Sequence, residues 1–173
     1  MPHHLEFADW VPHPVPQVFS FFSNPQNLPR LMPPETHTRL DRLELTRPAA
    51  PSPGARSAPH AAGAGSILFT SFRPVSWLPL RQTWIARIVE FEWNHHFADV
   101  QQEGPFKSWH HRHEFLADSR QGVNGTLVRD VIDYEVGMGP LGKLANALFV
   151  ANQIRSMFAA RQKALPGLLS ASS

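Results

Sequence analysis

Between Phe97 and Tyr134 the sequence reads FADVQQEGPFKSWHHRHEFLADSRQGVNGTLVRDVIDY, three alternating segments that mix polar groups with aromatic and aliphatic ones. At period two, Phe97, Asp99 and Gln101 share a face, as do Trp109, His111, His113 and Phe115, and then Asp130, Ile132 and Tyr134. An imidazole beside a carboxylate in an apolar interior can hold a proton near neutral pH, and a phenol can donate to a substrate oxygen. His111, Asp130 and Tyr134 are therefore the candidates for catalytic acid–base work of the cyclisation or dehydration kind. Two other readings compete. The polar groups could satisfy one another in a network that ties the strands together, or they could orient a bound molecule. Burying them without any partner is excluded, because that costs a few kcal/mol per group. Orientation of a ligand fits this residue mixture best, since polar networks are common without catalysis.

Imidazoles also bind metals, and His111 and His113 point the same way along one segment. A third donor would have to come from Asp99, Asp130, His95 or His96. No HExxH or similar spacing supports a metal, so the expectation is none. Cofactors are expected to be absent too, because neither GxxxxGK[ST] nor GxGxxG occurs, and there is no GxSxG nucleophile elbow. The chain has no cysteine, which removes disulfides, thiolate nucleophiles and cysteine-held metals from consideration.

These segments need a scaffold, and 173 residues suffice for one domain over residues 1–173 with a sizeable core. Net charge is +2, and the three lysines are scattered at Lys107, Lys143 and Lys163. That is not the clustered basic face of a nucleic-acid binder, so no nucleic-acid partner is expected. No apolar run approaches 18 residues and the first ten residues show no leader pattern, so the expectation is a cytoplasmic protein without membrane integration. The Ala-, Pro- and Arg-rich composition suggests a bacterial source.

Along the chain, 4–11 alternates as a first strand. Val15, Val18, Phe19 and Phe22 make one stripe of a short helix, and Leu28, Leu31 and Met32 fit a second helical turn. Residues 35–47 form a polar strand candidate. Residues 48–63, rich in Pro, Ala and Gly, read as a flexible loop too poor in large apolar groups to pack. Strands are predicted at 66–73, 80–92, 96–102, 109–117 and 126–136, with turns at Asn94, Gly104-Pro105 and 122–125. From Gly139-Pro140 a long amphipathic helix carries Leu141, Leu144, Leu148, Ala151, Ile154 and Phe158 on one face and stops at Pro166-Gly167. A bent antiparallel sheet has one concave apolar face on which such a helix can lie. The wall of the resulting interior is predicted to add Phe69, Trp84, Ala86, Ile88, Ile154 and Phe158 to the residues named above. Arg161 faces either an acid such as Asp130 or solvent.

The stretches VFSFFSNPQNLPRLMPP, WIARI, FADVQQEGPFKSWHHRHEF, GTLVRDVIDY and GPLGKLANALFV…IRSMFAARQKAL resemble those of the START-like, or SRPBCC, superfamily, in particular its bacterial polyketide cyclase/dehydrase-like members. The resemblance spans nearly the whole chain apart from 48–63. It implies an α+β helix-grip fold of the Bet v 1 kind, in which a strongly curved antiparallel sheet of about seven strands wraps around a long C-terminal helix. Two short helices follow the first strand. It further implies an internal cavity for a hydrophobic or amphipathic small molecule such as a lipid, polyketide or aromatic metabolite. A cofactor-free aromatase/cyclase or dehydrase and an interaction protein with a filled cavity are the alternatives, because this fold hosts many activities.

Overall fold

The computed structural model describes residues 2–50, 58–74, 79–137 and 149–171. Strand β1 (His3–Val11) leads into α1 (Val15–Ser23), a 3₁₀ turn (Pro25–Asn27), α2 (Leu28–Leu31) and a second 3₁₀ turn (Pro34–Thr36). Six strands follow: β2 (Arg39–Glu44), β3 (Ile67–Phe72), β4 (Gln82–Glu92), β5 (His96–Glu103), β6 (Ser108–Arg120) and β7 (Val123–Glu135). The last described element is α3 (Ala151–Ser170). All seven strands form one curved, open antiparallel sheet in the order β1-β7-β6-β5-β4-β3-β2, and α3 packs against its inner face. This is the helix-grip architecture. Register shifts in β2 between Leu40 and Arg42, and in β4 at Ile85/Ala86 and Ile88/Glu90, mark bulges of the kind that bend a sheet.

Local chemistry explains the boundaries. Pro12 follows the last residue of β1, and Pro14 and Pro16 preset the first turn of α1. The β6–β7 hairpin turns at Gln121-Gly122, whose φ values of 50° and 79° are those of a two-residue turn matched to strand twist. Strand β7 therefore starts at Val123, three residues before the predicted start, and Gly125 lies within it rather than in the turn. A Cβ on Gly125 would come within 2.4 Å of the Val11 carbonyl oxygen, so only glycine lets β7 pass beneath the end of β1.

Two expectations are corrected. Helix α3 does not stop at Pro166 but runs on to Ser170. The lost backbone hydrogen bond is offset because Leu165 and Leu169 are fully buried against α1 and the sheet, and a break at 166 would expose Leu169. The described parts of the 48–63 loop, 48–50 and 58–63, are also better packed than its composition predicts. Ala61 and Ala62 are buried, the Ala62 N–H donates to the Ser23 carbonyl, and the Trp93 indole donates to the Ala49 carbonyl at 2.7 Å. Small side chains allow that close approach. The predicted helix start at Gly139-Pro140, with Leu141, Leu144 and Leu148, lies outside the described residues.

The core has two apolar clusters. One joins Phe19, Phe22 and Leu31 of the first helices to Val11, Phe97, Phe115, Val128, Leu165 and Leu169. The other joins Trp109, Ile132 and Tyr134 to Ile154 and Phe158 of α3, flanked by Leu5, Phe7, Trp84 and Phe106.

Candidate functional site

A polar layer crosses the inner face between those clusters. On β1, β6, β7 and α3 it occupies the position between residues of the two clusters. Strand β1 runs Phe7, Asp9, Val11, strand β6 runs Trp109, His111, His113, Phe115, and strand β7 runs Val128, Asp130, Ile132, all at period two. Helix α3 runs Phe158, Arg161, Leu165 at helical spacing. Strand β5 contributes Asp99, next to Phe97. Cross-strand pairing places Asp99 opposite His111, and His113 opposite Asp130.

Asp130 is the hub. It is fully buried, and its Oδ1 accepts from Arg161 Nη1 at 3.1 Å and from His111 Nε2 at 2.9 Å, while Oδ2 accepts from Arg161 Nη2. His113 Nδ1 lies 2.7 Å from the same Oδ1 but out of line for a hydrogen bond, and it is left unpaired. Arg161 Nη2 also reaches Asp9 Oδ2 at 3.4 Å, and the guanidinium sits 4.4 Å from the Phe158 ring centroid and 5.5 Å from that of Phe22. The choice left open for Arg161 is thus settled: it is a buried cation clamped by two carboxylates and two rings.

Burial opposes the charge on Asp130, but the Arg161 guanidinium, the nearby His113 imidazole and the hydrogen bond from His111 overcome it and hold this carboxyl well below the usual carboxylate range. Asp130 is consequently an ionised orienting group and a poor proton carrier at neutral pH. Asp99 behaves oppositely. Burial pushes its carboxyl up to about 6, against the lowering effect of His111. It accepts no hydrogen bond among the described residues, and its Oδ2 lies 3.9 Å from His111 Nδ1. Burial, then the neighbouring His113, push the His111 imidazole down. Burial likewise raises Asp9, only partly countered by Arg161. At neutral pH the layer thus holds ionised Asp130 and Arg161 beside a His111 biased toward its neutral form and an Asp99 carboxylate that accepts no hydrogen bond among the described residues.

The remaining predicted wall residues divide. Trp84, Trp109 and Tyr134 gather around Phe106, with ring centroids 5.0–5.7 Å from it. Trp84 and Trp109 meet edge to face at 5.1 Å, and Phe158 stacks on Phe7 at 4.2 Å. Ala86, Ile88, Ile132 and Ile154 are buried on the same inner face. Phe97 and Phe115 pack instead under α1, against Phe19, as ordinary core. Gln101 is occupied by the β5–β6 turn, its amide donating to the Phe106 carbonyl at 2.7 Å and accepting from the Phe106 N–H. Phe69 is a correction. It pairs with Ile85 and Arg42, whose guanidinium covers its ring at 3.7 Å, so it lies on the opposite face from Trp84 and Ala86. Ile67, Phe69 and Ser71 on one side of β3, and Leu68, Thr70 and Phe72 on the other, are nearly equally apolar, so alternation alone cannot choose between them.

The proposed triad also separates. His111 and Asp130 meet, but Tyr134 lies four positions beyond Asp130 on β7, about 13 Å along the strand, among Trp109, Phe106 and His3. Asp9 and Phe7 escaped the sequence reading, although their period-two placement with Val11 was available to it. Phe106, which follows the predicted Gly104-Pro105 turn, was not among the predicted wall residues.

Comparison with known proteins agrees with this architecture. The model of the family described as polyketide cyclase/dehydrase and lipid transport matches residues 11–163. A search of curated proteins gives no match. Among solved structures, TTHA0849 from Thermus thermophilus superposes with a TM-score of 0.66 at 18% identity, covering 99% of each chain. Ara h 8.0201 gives 0.59 at 12% identity, again covering 99% of each chain. A point mutant of norcoclaurine synthase from Thalictrum flavum, in complex with a transition-state analogue, gives 0.61 at 16% identity, covering 98% of this chain and 94% of that one.

Proposed function

The chain belongs to the polyketide cyclase/dehydrase and lipid transport family, and from that premise we propose that it binds a hydrophobic or amphipathic small molecule between the inner sheet face and α3. The observation that carries this reading is the polar layer set between two apolar clusters. A plain core would not place Asp99, a carboxylate accepting no hydrogen bond among the described residues, beside His111, because each such group costs free energy unless something pairs with it. An amphipathic ligand supplies both needs, an apolar body for the Trp84, Trp109 and Phe158 rings and a polar group for His111 and Asp99. Asp130, clamped by Arg161, holds the His111 imidazole in place from behind and need not touch the ligand.

The test is a titration of the purified protein with an apolar fluorophore, followed by displacement with lipids and aromatic polyketides. Loss of displaceable binding in His111→Ala, with folding intact by circular dichroism, supports the reading. Binding of equal strength in wild type and His111→Ala would remove the polar layer from ligand recognition.

A further inference from the structure

Asp99, His111 and His113 each offer a donor atom, and the three donors lie within 4.8 Å of one another on adjacent strands β5 and β6. The sequence offered Asp99 as one of four possible third donors, and the spacing of the two histidines could not choose among them. The fold makes that choice. We propose that these three residues form a binding site for a divalent transition-metal ion of the zinc type.

Four features argue for it. The donor set is two imidazoles and one carboxylate, which suits zinc or iron(II) and leaves a coordination position open. The His111 ring is already oriented from behind by a buried carboxylate, the arrangement that fixes metal-bound histidines elsewhere in proteins. Asp130 Oδ1 accepts a hydrogen bond from His111 Nε2 at 2.9 Å and lies 2.7 Å from His113 Nδ1, leaving the opposite nitrogen of each ring for another partner. Asp130 is itself clamped by the buried Arg161, so it cannot swing away. Finally, with Nε2 of His111 donating, its Nδ1 carries a lone pair that faces Asp99 Oδ2 across 3.9 Å. Two acceptors facing each other favour a cation between them. Donors around a tetrahedral zinc stand about 3.4 Å apart, so the three must draw together by up to about 1.4 Å. Asp99 accepts no hydrogen bond among the described residues, so none is broken when its carboxylate turns toward the imidazoles.

The metal site shares Asp99 and His111 with the small-molecule reading, but its test is separate, because metal binding is measured with no organic ligand present. Tag-free protein stripped with EDTA and dialysed is titrated with Zn²⁺ by calorimetry, and with Co²⁺ by visible absorption. The expected result is one ion per chain, bound at least tenfold more weakly by Asp99→Asn and by His113→Gln, and about 10–100-fold more weakly by Asp130→Asn through the lost orientation of the rings. Circular dichroism identifies which variants fold, and either of the first two suffices to decide. His4→Ala is the control, since His4 with Glu6 and Asp133 is an exposed cluster that could hold zinc adventitiously. Stoichiometric binding unchanged in that control supports the site. No saturable binding, binding lost in His4→Ala, or full affinity in a folded Asp99→Asn or His113→Gln would overturn it.

Discussion

Replacing Asp99 with asparagine should stabilise the protein at pH 7.5 and leave it nearly unchanged at pH 4. The magnitude follows from burial. The Asp99 carboxyl is raised from an ordinary 3.8 to about 6 in the folded state. Below pH 3.8 both folded and unfolded chains carry the proton and nothing is lost. Between 3.8 and about 6 the unfolded chain ionises while the folded one keeps its proton, so stability falls by about 1.4 kcal/mol per pH unit. Above about pH 6 the loss is complete, at about 3 kcal/mol, and stays constant. Asparagine has nearly the same shape and does not titrate, so it escapes this loss. The assay is urea denaturation of wild type and Asp99→Asn at pH 4, 5.5 and 7.5, with a chelator present so that no metal contributes. The stability difference should grow by about 2–4 kcal/mol from pH 4 to 7.5, and about 2–4 °C of Tm per kcal/mol should accompany it. A difference independent of pH, or a variant less stable than wild type at pH 7.5, would refute the reasoning. In that event the carboxylate must be stabilised in the fold by a partner stronger than His111 at 3.9 Å.

Other outcomes follow from the same geometry. Asp130→Asn leaves the Arg161 guanidinium buried without its main counter-charge and should cost about 3–5 kcal/mol by chemical denaturation; a loss under about 1 kcal/mol would show that Asp9 alone can balance Arg161. Pro166→Ala should restore a backbone hydrogen bond inside α3 and raise stability by up to about 3 kcal/mol, whereas lower stability would mean that the proline's shape is needed to seat Leu165 and Leu169. Gly125→Ala should cost about 1–3 kcal/mol, because its methyl group meets the Val11 carbonyl and the Trp10 ring. A neutral effect there would contradict the close crossing of β7 and β1.

Much of this fold was legible because its two periodicities are clean. Alternation in 96–102 and 109–117, and the Val15, Val18, Phe19, Phe22 stripe, have one reading each, and the strands and α1 formed where those patterns lie. Boundaries failed where tertiary contacts overrode local signals. Pro166 reads as a stop until the burial of Leu169 is known, and the Gly-rich 122–125 stretch reads as a long turn until Gly125 is seen beneath β1.

Within the candidate site, His111 and Asp130 were legible as polar residues on buried faces, and the structure joins them at 2.9 Å. Strand alternation says which face a residue takes but not how far along it two groups meet, so Tyr134 was grouped with residues it does not reach. It also cannot separate core from wall. Phe97 and Phe115 turned out to be covered by α1, a contact that no pattern within β5 or β6 announces. The hub role of Asp130 depended on Arg161, thirty-one residues away on another element, and only packing brings those two together.

The central claim is that the polar layer between the two apolar clusters exists to receive a small molecule. Native mass spectrometry of protein purified from its own source, followed by organic extraction, tests it most directly. The account predicts a noncovalent adduct of one apolar or amphipathic molecule per chain, lost or reduced in His111→Ala. A wild-type protein that carries no adduct, and takes up none from a panel of lipids and aromatic polyketides, would contradict it.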